Sequence, residues 1–189
     1  MIRRTLAATL LLAVGAATLA AQQPTQQSAP DPAKVAAMAG MRGALDADLA
    51  DLEGKYLKLA EAMKAKFDYR PAAGVRSAGE VFAHVAAGNH FIPGVWGVKA
   101  PAGINPQALA TEKDPDKIIA NLKASFAHVR ASLGAVPDAE MDRGVKLFGQ
   151  DATVRRAQMP IMTHMHEHLG QSIAYARASG VTPPWSAGG

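Results

Sequence analysis

Apolar residues recur at intervals of three and four in four separate segments of this chain, and that period is typical of amphipathic α-helices. The first and longest stripe predicts a helix over residues 33–66. Gly40, Gly43 and Gly54 weaken this helix locally. The apolar positions of the stripe are Met38, Met41, Leu45, Leu49, Leu52, Tyr56, Leu59 and Met63.

Capping residues mark where the second and third helices begin. The tetrapeptide SAGE is typical of a capping box, in which Ser77 and Glu80 satisfy each other's free backbone N–H groups, and it opens a predicted helix over 77–91. Asp114, followed directly by a proline, predicts the start of a helix over 114–133.

The last stripe predicts a helix over 153–179, with Pro160 inside it and Gly180 as its C-terminal cap. A Pro- and Gly-rich segment over 93–112 separates the second helix from the third and predicts a long loop. Apart from a strand-like piece, VKLFG, strand signals are nearly absent. The chain is therefore predicted to be all-α, a four-helix bundle with a long crossover loop between helices 2 and 3.

The first twenty residues have the pattern of a secretory signal peptide. Arg3 and Arg4 precede an apolar run over 6–19, and small residues end at Ala20. The alternative is an uncleaved anchor, but the run is shorter than the ~20 residues that a membrane span needs. We expect a signal peptide over 1–20 and a periplasmic or secreted protein without a stable membrane anchor.

The segment after the predicted cleavage site is rich in Gln and Pro, so 21–32 is predicted to be a disordered linker before a domain over 33–189. The formal charge of +4 falls to +2 once Arg3 and Arg4 are removed. Because the remaining cations are scattered, we expect no nucleic-acid partner. The absence of cysteine excludes disulfides, thiolate metal sites and covalently attached c-type haem.

Histidines in two of the predicted helices form a candidate metal site. His164 and His168 are four residues apart and share one helical face, which continues the apolar stripe of the last helix. His84 lies on the apolar stripe of the second helix, whereas His166 points about 200° away from the pair. Three imidazoles suit Zn²⁺, Ni²⁺ or Fe²⁺ and leave room for water or substrate. The alternative is that these side chains are hydrogen-bonded within the core.

The two other histidines in the helices are not expected to join this site. His90 is six residues from His84 and lies on another face, near the end of its helix. His128 flanks the stripe of the third helix and is expected to be exposed.

Two segments, FDYRPAAGVRSAGEVFAHVA and THMHEHLGQSIAYARASGVTPPWS, resemble the signature regions of the DinB/YfiT-like metal-binding bundles. The resemblance covers about residues 35–185, and the matching positions are His84, His164, His168, Gly170, Gln171, Tyr175 and Arg177. It implies an up-down-down-up bundle, commonly a homodimer, with a divalent metal at the three histidines. Characterised members include thiol-dependent transferases and isomerases. Their thiol cosubstrates are cytoplasmic, so the predicted signal peptide argues against that activity here.

These observations favour a metal-dependent hydrolase or transferase that acts on an unidentified small substrate. Glu167 is the candidate general base, and Gln171 and Tyr175 are candidate substrate-binding residues on the histidine face. Glu167 could instead be a solvent-facing carboxylate or a hydrogen-bond acceptor for a ligand histidine, and Gln171 and Tyr175 could orient a ligand imidazole or be hydrogen-bonded within the core. The alternative is a non-catalytic metal-binding or structural bundle. A third hypothesis is a b-type haem bundle in which Met38 or Met41 pairs with a histidine of the last helix.

Overall fold

The structure, a computed structural model, describes residues 30–37 and 39–186. The predicted signal peptide over 1–20, most of the predicted linker over 21–32 and Met38 of the first stripe lie outside these residues. Within the described ranges, no helix is both long and apolar enough to cross a membrane.

Four long helices and a small hairpin make up most of the described chain. The helices are α1 (Pro32–Ala37), α2 (Gly40–Met63), α3 (Ala78–Phe91), α4 (Pro106–Leu109), α5 (Pro115–Gly134) and α6 (Val154–Ala178); the strands are β1 (Gly144–Leu147) and β2 (Gln150–Thr153). Short 3-10 helices lie at Lys64–Lys66, Ile92–Trp96, Asp138–Glu140 and Pro184–Ser186.

The caps predicted from sequence form as expected. The Ser77 hydroxyl accepts a hydrogen bond from the Glu80 N–H at 3.3 Å, and the Glu80 carboxylate accepts one from the Ser77 N–H at 2.9 Å. Asp114 caps α5 in the same way, by accepting from the first free backbone N–H groups. Gly180, at φ +81°, takes up the left-handed conformation that commonly ends a helix.

The helix predicted over residues 33–66 is not continuous in the structure, and its α-helical part ends at Met63. Gly40 has a φ of +71°, outside the right-handed helical region, so the helix predicted to begin at residue 33 is divided into α1 and α2. Its last turn, Lys64–Lys66, is 3-10 rather than α.

Helices α3 and α5 lie side by side and run in the same direction. Asn89 Nδ2 donates to Ser125 Oγ at 3.0 Å, and Trp96 Nε1, beyond the end of α3, donates to the Ser132 carbonyl at 3.3 Å near the end of α5. A parallel pair requires the chain to return along the whole bundle, about 21 Å for a helix of this length. This requirement explains the long crossover, which contains α4.

The other helix directions complete an up-down-down-up bundle, as the resemblance implies. Arg130, late in α5, pairs with Asp46, early in α2, so these two helices are antiparallel. Arg155 donates to Met41 Sδ, and the Tyr56 hydroxyl donates to the Met165 carbonyl at 2.6 Å, so α6 runs parallel to α2. Helices α2 and α3 each pack against α5 and α6 and therefore occupy opposite corners of the bundle.

The core is built mainly from the predicted stripes. Among the described residues, the bulkiest fully buried side chains include three aromatic rings, Tyr56, Phe82 and Phe126. The Tyr56 ring lies against Phe82 and Phe126, with centroid distances of 6.3 and 5.6 Å.

The connection between α5 and α6 contains more β-structure than the sequence indicates. The piece VKLFG supplies β1, which pairs antiparallel with β2 through a turn at Phe148 and Gly149. Both turn residues have positive φ values, +48° and +87°. The second strand, QDAT, has a composition of weak strand propensity, which is why the pattern did not reveal it.

The prediction that His128 is exposed is wrong. Its side chain lies between α5 and α3, where only 9% of the residue is exposed, and its ring is 4.9 Å from the ring of His90. Helix α5 packs against both α2 and α3, so its buried face is wider than the single apolar stripe that the sequence shows. His90 is 3% exposed and lies near the end of α3, as predicted.

Burial of this histidine pair predicts acid-sensitive folding. Burial, with a smaller effect from His128, holds the pKa of His90 down to about 4, and burial also lowers the pKa of His128. A histidine in the unfolded chain has a pKa of about 6.5. Below that pH these histidines become protonated in the unfolded chain, whereas in the folded chain they stay neutral until the pH approaches their lower pKa values. The free energy of unfolding of the metal-free protein is therefore expected to fall as the pH drops from about 6.5 towards 4.

Urea unfolding at pH 7 and at pH 5 should show that the His90→Leu variant loses less stability over this interval than the parent protein does, by about 2 kcal/mol. The matched control is His166→Gln, because His166 is exposed. The expectation is wrong if His90→Leu loses as much stability over this interval as the parent protein.

Candidate metal centre

Three histidines from two antiparallel helices meet at the α3–α6 contact. His84 projects from α3, while His164 and His168 project from α6, one turn apart. The Nε2 atoms of His84 and His164 are 3.2 Å apart, and one ring nitrogen from each histidine lies within 4.8 Å of the others. Each of the three is half-buried. The structure therefore brings together the three residues predicted as metal ligands, close enough to bind one metal ion.

The ring arrangement fits a tetrahedral metal ion. The centroids lie 4.6–5.1 Å apart, and the ring planes are inclined to one another by 62–86°. Two nitrogens bound to the same zinc ion at its usual bond length would lie about 3.3 Å apart, close to the 3.2 Å between the Nε2 atoms of His84 and His164. His164 presents Nε2 to the site, because this nitrogen is the one near His84, and its Nδ1 is buried without a hydrogen-bond partner among the described residues.

Burial keeps two of these imidazoles uncharged. It lowers the pKa of His84 to about 4, with smaller contributions from the charges of Arg76 and His168. Burial likewise lowers the pKa of His164 to about 4, with His168, His84 and Arg76 adding to the effect. Both rings are therefore neutral near pH 7, which is the form that binds a metal.

A chain of hydrogen bonds fixes the orientation of His168. Its Nδ1 lies 2.8 Å from Gln171 Oε1, and Gln171 Nε2 donates to the Tyr175 hydroxyl at 3.0 Å. An amide oxygen only accepts, so the imidazole proton is on Nδ1 and the Nε2 lone pair is free for a metal. Tyr175 is itself held by an edge-to-face contact with Tyr69, at a centroid distance of 6.2 Å. Gln171 and Tyr175 therefore orient the His168 imidazole, and their contact with substrate stays a prediction.

Two neighbours of the ligands on α6 lie outside the site. His166 is exposed and lies 3.0 Å from the Asp48 carboxylate on α2. Glu167 is exposed and is not part of the group of metal-binding atoms. Its role as a general base stays a prediction.

Gly88 is a residue of the site that the sequence analysis did not assign to it. A Cβ atom at this position would lie 2.6 Å from Cε1 of His164, closer than side-chain carbons approach one another. The absence of a side chain therefore lets the His164 ring lie directly against α3. A glycine in the middle of an Ala-rich helix, four residues after His84, was the available signal.

The Gly88→Ala variant is expected to displace the His164 ring and lower zinc affinity about 10- to 100-fold. Helix propensity alone would predict a neutral or stabilising change, since alanine is the better helix former. Calorimetric titration with zinc measures the affinity, and circular dichroism checks that the helices are retained.

Gly170→Ala is the matched control on α6, because a Cβ there meets no atom within 4 Å. Equal zinc affinity in the two variants would show that the close approach at Gly88 does not position His164.

Comparisons with known proteins agree with this architecture. The family model of the DinB superfamily matches residues 48–172. A crystal structure of a DinB-like protein from Bacillus cereus ATCC 10987 is similar with a TM-score of 0.66 and 17% identity, covering 76% of this chain and 95% of that one. A DinB-like protein from Bacillus subtilis gives a TM-score of 0.56 and 22% identity, covering 72% of this chain and 92% of that one.

No curated protein matches the chain. At these identities the two crystal structures establish the fold, and the family match includes all three histidines of the site. Because the family model matches most of the chain and the fold is the same as in these two proteins, the chain belongs to the DinB superfamily.

Proposed function

We propose that this protein is a metal-dependent enzyme, a hydrolase or transferase, that acts on a small substrate at the three-histidine site. The observation that carries the proposal is the number of ligands: among the described residues, the cluster supplies three imidazoles and no carboxylate or further histidine. Structural zinc sites close all four positions with protein ligands, whereas catalytic sites leave one position open.

Imidazole donors suit Zn²⁺, Ni²⁺ or Fe²⁺, and zinc is the ion we propose to test first. Such an ion supplies Lewis acidity, which polarises a substrate oxygen or water. His84 and His164 provide uncharged nitrogens because burial lowers their pKa values to about 4. Gln171 and Tyr175 hold His168 in the tautomer that leaves Nε2 free.

Glu167 is the proposed proton acceptor. Its carboxylate is exposed on α6, directly before His168, so reaching a substrate would require a change of side-chain rotamer. We also propose export to the periplasm or the exterior and assembly as a homodimer. The Arg pair and apolar run at the start of the sequence support export, and the family resemblance supports the dimer.

The non-catalytic alternative makes a different prediction about the fourth position. In cobalt-substituted protein, azide should change the visible spectrum if that position is open to solvent. A spectrum unaffected by azide would instead identify a closed, structural site. A zinc-dependent hydrolysis of small esters or amides, abolished by a chelator and reduced in Glu167→Gln, would establish the enzyme.

Alanine variants test the ligand set. Replacing His84, His164 or His168 by Ala should lower zinc affinity at least about 100-fold, because each variant leaves two ligands. His166→Ala should bind zinc like the parent protein, since His166 contacts Asp48 outside the site. Metal analysis after dialysis, together with calorimetry, measures occupancy and affinity. Undiminished binding in His84→Ala, or an equal loss in all four variants, would contradict the three-histidine site.

A further inference from the structure

An open cleft of about 260 Å³ lies between α3 and α4. His84 and Gln107 provide the polar groups of its lining. The rest of the lining is formed by small or apolar residues: Ala87, Gly88, Phe91, Pro106 and Ala110. Pockets for drug-sized ligands begin at about 300 Å³, so this cleft suits a single ring or a short hydrocarbon chain.

The cleft and the metal centre share two residues. His84 is a member of the histidine cluster and also lines the cleft. Gly88 lines the cleft too, and a Cβ atom at this position would meet the His164 ring. A molecule bound in the cleft therefore contacts His84, the histidine that the cleft shares with the metal centre.

Phe91 gives the cleft an apolar surface that is exposed to solvent. The residue is 57% exposed, although it belongs to a helix that is otherwise largely buried. A hydrocarbon group placed against it would remove apolar surface from water on both sides, which favours binding by about 25 cal/mol per Å².

A cation lies on the other side of the metal centre along α3. Arg76 is exposed, and it makes no ion pair with any carboxylate in the described part of the chain. Arg76 directly precedes Ser77, the N-cap of α3, so its charge lies at the end of α3 opposite Phe91. Arg76 precedes His84 by eight residues, whereas Phe91 follows it by seven, so the histidines stand between the cation and the apolar surface.

We propose that the substrate is a small amphipathic carboxylate, with its apolar body in the cleft between α3 and α4 and its carboxylate at the metal centre, facing Arg76. This inference rests on the proposed function, because it names the substrate class of the same site. Helix α4 and the crossover loop then determine specificity, since they form the wall of the cleft that carries no metal ligand.

Binding of straight-chain carboxylates to the zinc-loaded protein tests this inference. Calorimetry with acetate, butyrate, hexanoate and octanoate should show affinity rising about fourfold for each added methylene until the cleft is filled. Hexanamide, which has the same chain without the charge, should bind more weakly than hexanoate. An affinity that does not change with chain length would overturn the proposal.

A pair of variants in α4 and at its C-cap localises the effect. Ala110→Phe fills the cleft from the wall opposite His84 and should abolish the gain from chain length, with zinc content unchanged. Ala108→Phe is the matched control, because Ala108 is exposed on α4 outside the lining. Equal losses in both variants, or no loss in Ala110→Phe, would show that the hydrocarbon chain binds elsewhere.

A second pair of variants tests the contribution of the positive charge of Arg76. Arg76→Gln should weaken hexanoate binding at least about threefold and leave hexanamide unaffected. Arg156→Gln, at an exposed position near the start of α6, should change neither. Loss of hexanoate binding in both variants, or in neither, would remove Arg76 from the proposed site.

The zinc content of each sample separates this inference from the proposed function. Protein that retains no zinc contradicts the three-histidine site itself, and the substrate class falls with it. Protein that retains zinc and binds azide, but does not distinguish hexanoate from acetate, contradicts the substrate class alone.

Discussion

The arrangement of the site depends on how closely α3 and α6 approach each other. At Gly88 the backbone of α3 packs against the His164 imidazole of α6. One turn earlier on α3, the His84 side chain extends towards the same imidazole. The two helices run antiparallel, so the ring one turn beyond His164 on α6 lies next to His84 as well. Two helices are therefore enough to bring all three imidazoles together, because His168 lies on the same helix as His164. Larger side chains where α3 crosses α6 would hold the two helices near the upper end of the usual 8–10 Å separation. The three imidazole rings would then lie further apart.

Much of this arrangement could be predicted from the sequence, because helical geometry fixes relative positions along one helix. The four-residue spacing of His164 and His168, the position of His84 on an apolar stripe and the caps at Ser77 and Asp114 all depend on local geometry, and all appear in the structure. The distance between two helices is not encoded in the period of either one. The contact of Gly88 with His164 and the burial of His128 both depend on that distance, so the stripes could not reveal them.

The polar groups in the interior serve two different purposes. The His168–Gln171–Tyr175 chain is satisfied within one helix, through side chains three and four residues apart, and it leaves a nitrogen available. His90 and His128 instead pack against each other across α3 and α5, and Nδ1 of His90 has no partner among the described residues. A satisfied chain fixes one tautomer of its histidine, whereas the two buried rings of His90 and His128 impose a desolvation cost that depends on pH.

The sequence separation of the three histidines would link metal binding to the integrity of the whole bundle. His84 and His164 are 80 positions apart, and all of α5 and the β-hairpin lie between them. An ion that joins them closes this long loop and acts as a crosslink that forms and breaks reversibly. Because the unfolded chain cannot hold the three rings together, occupancy adds to the folding free energy, by about 2.7 kcal/mol when free metal is at 100 times its dissociation constant. The lifetime of the folded protein would then follow the supply of metal in its compartment, and starvation for that ion would expose the chain to proteolysis before any substrate was involved.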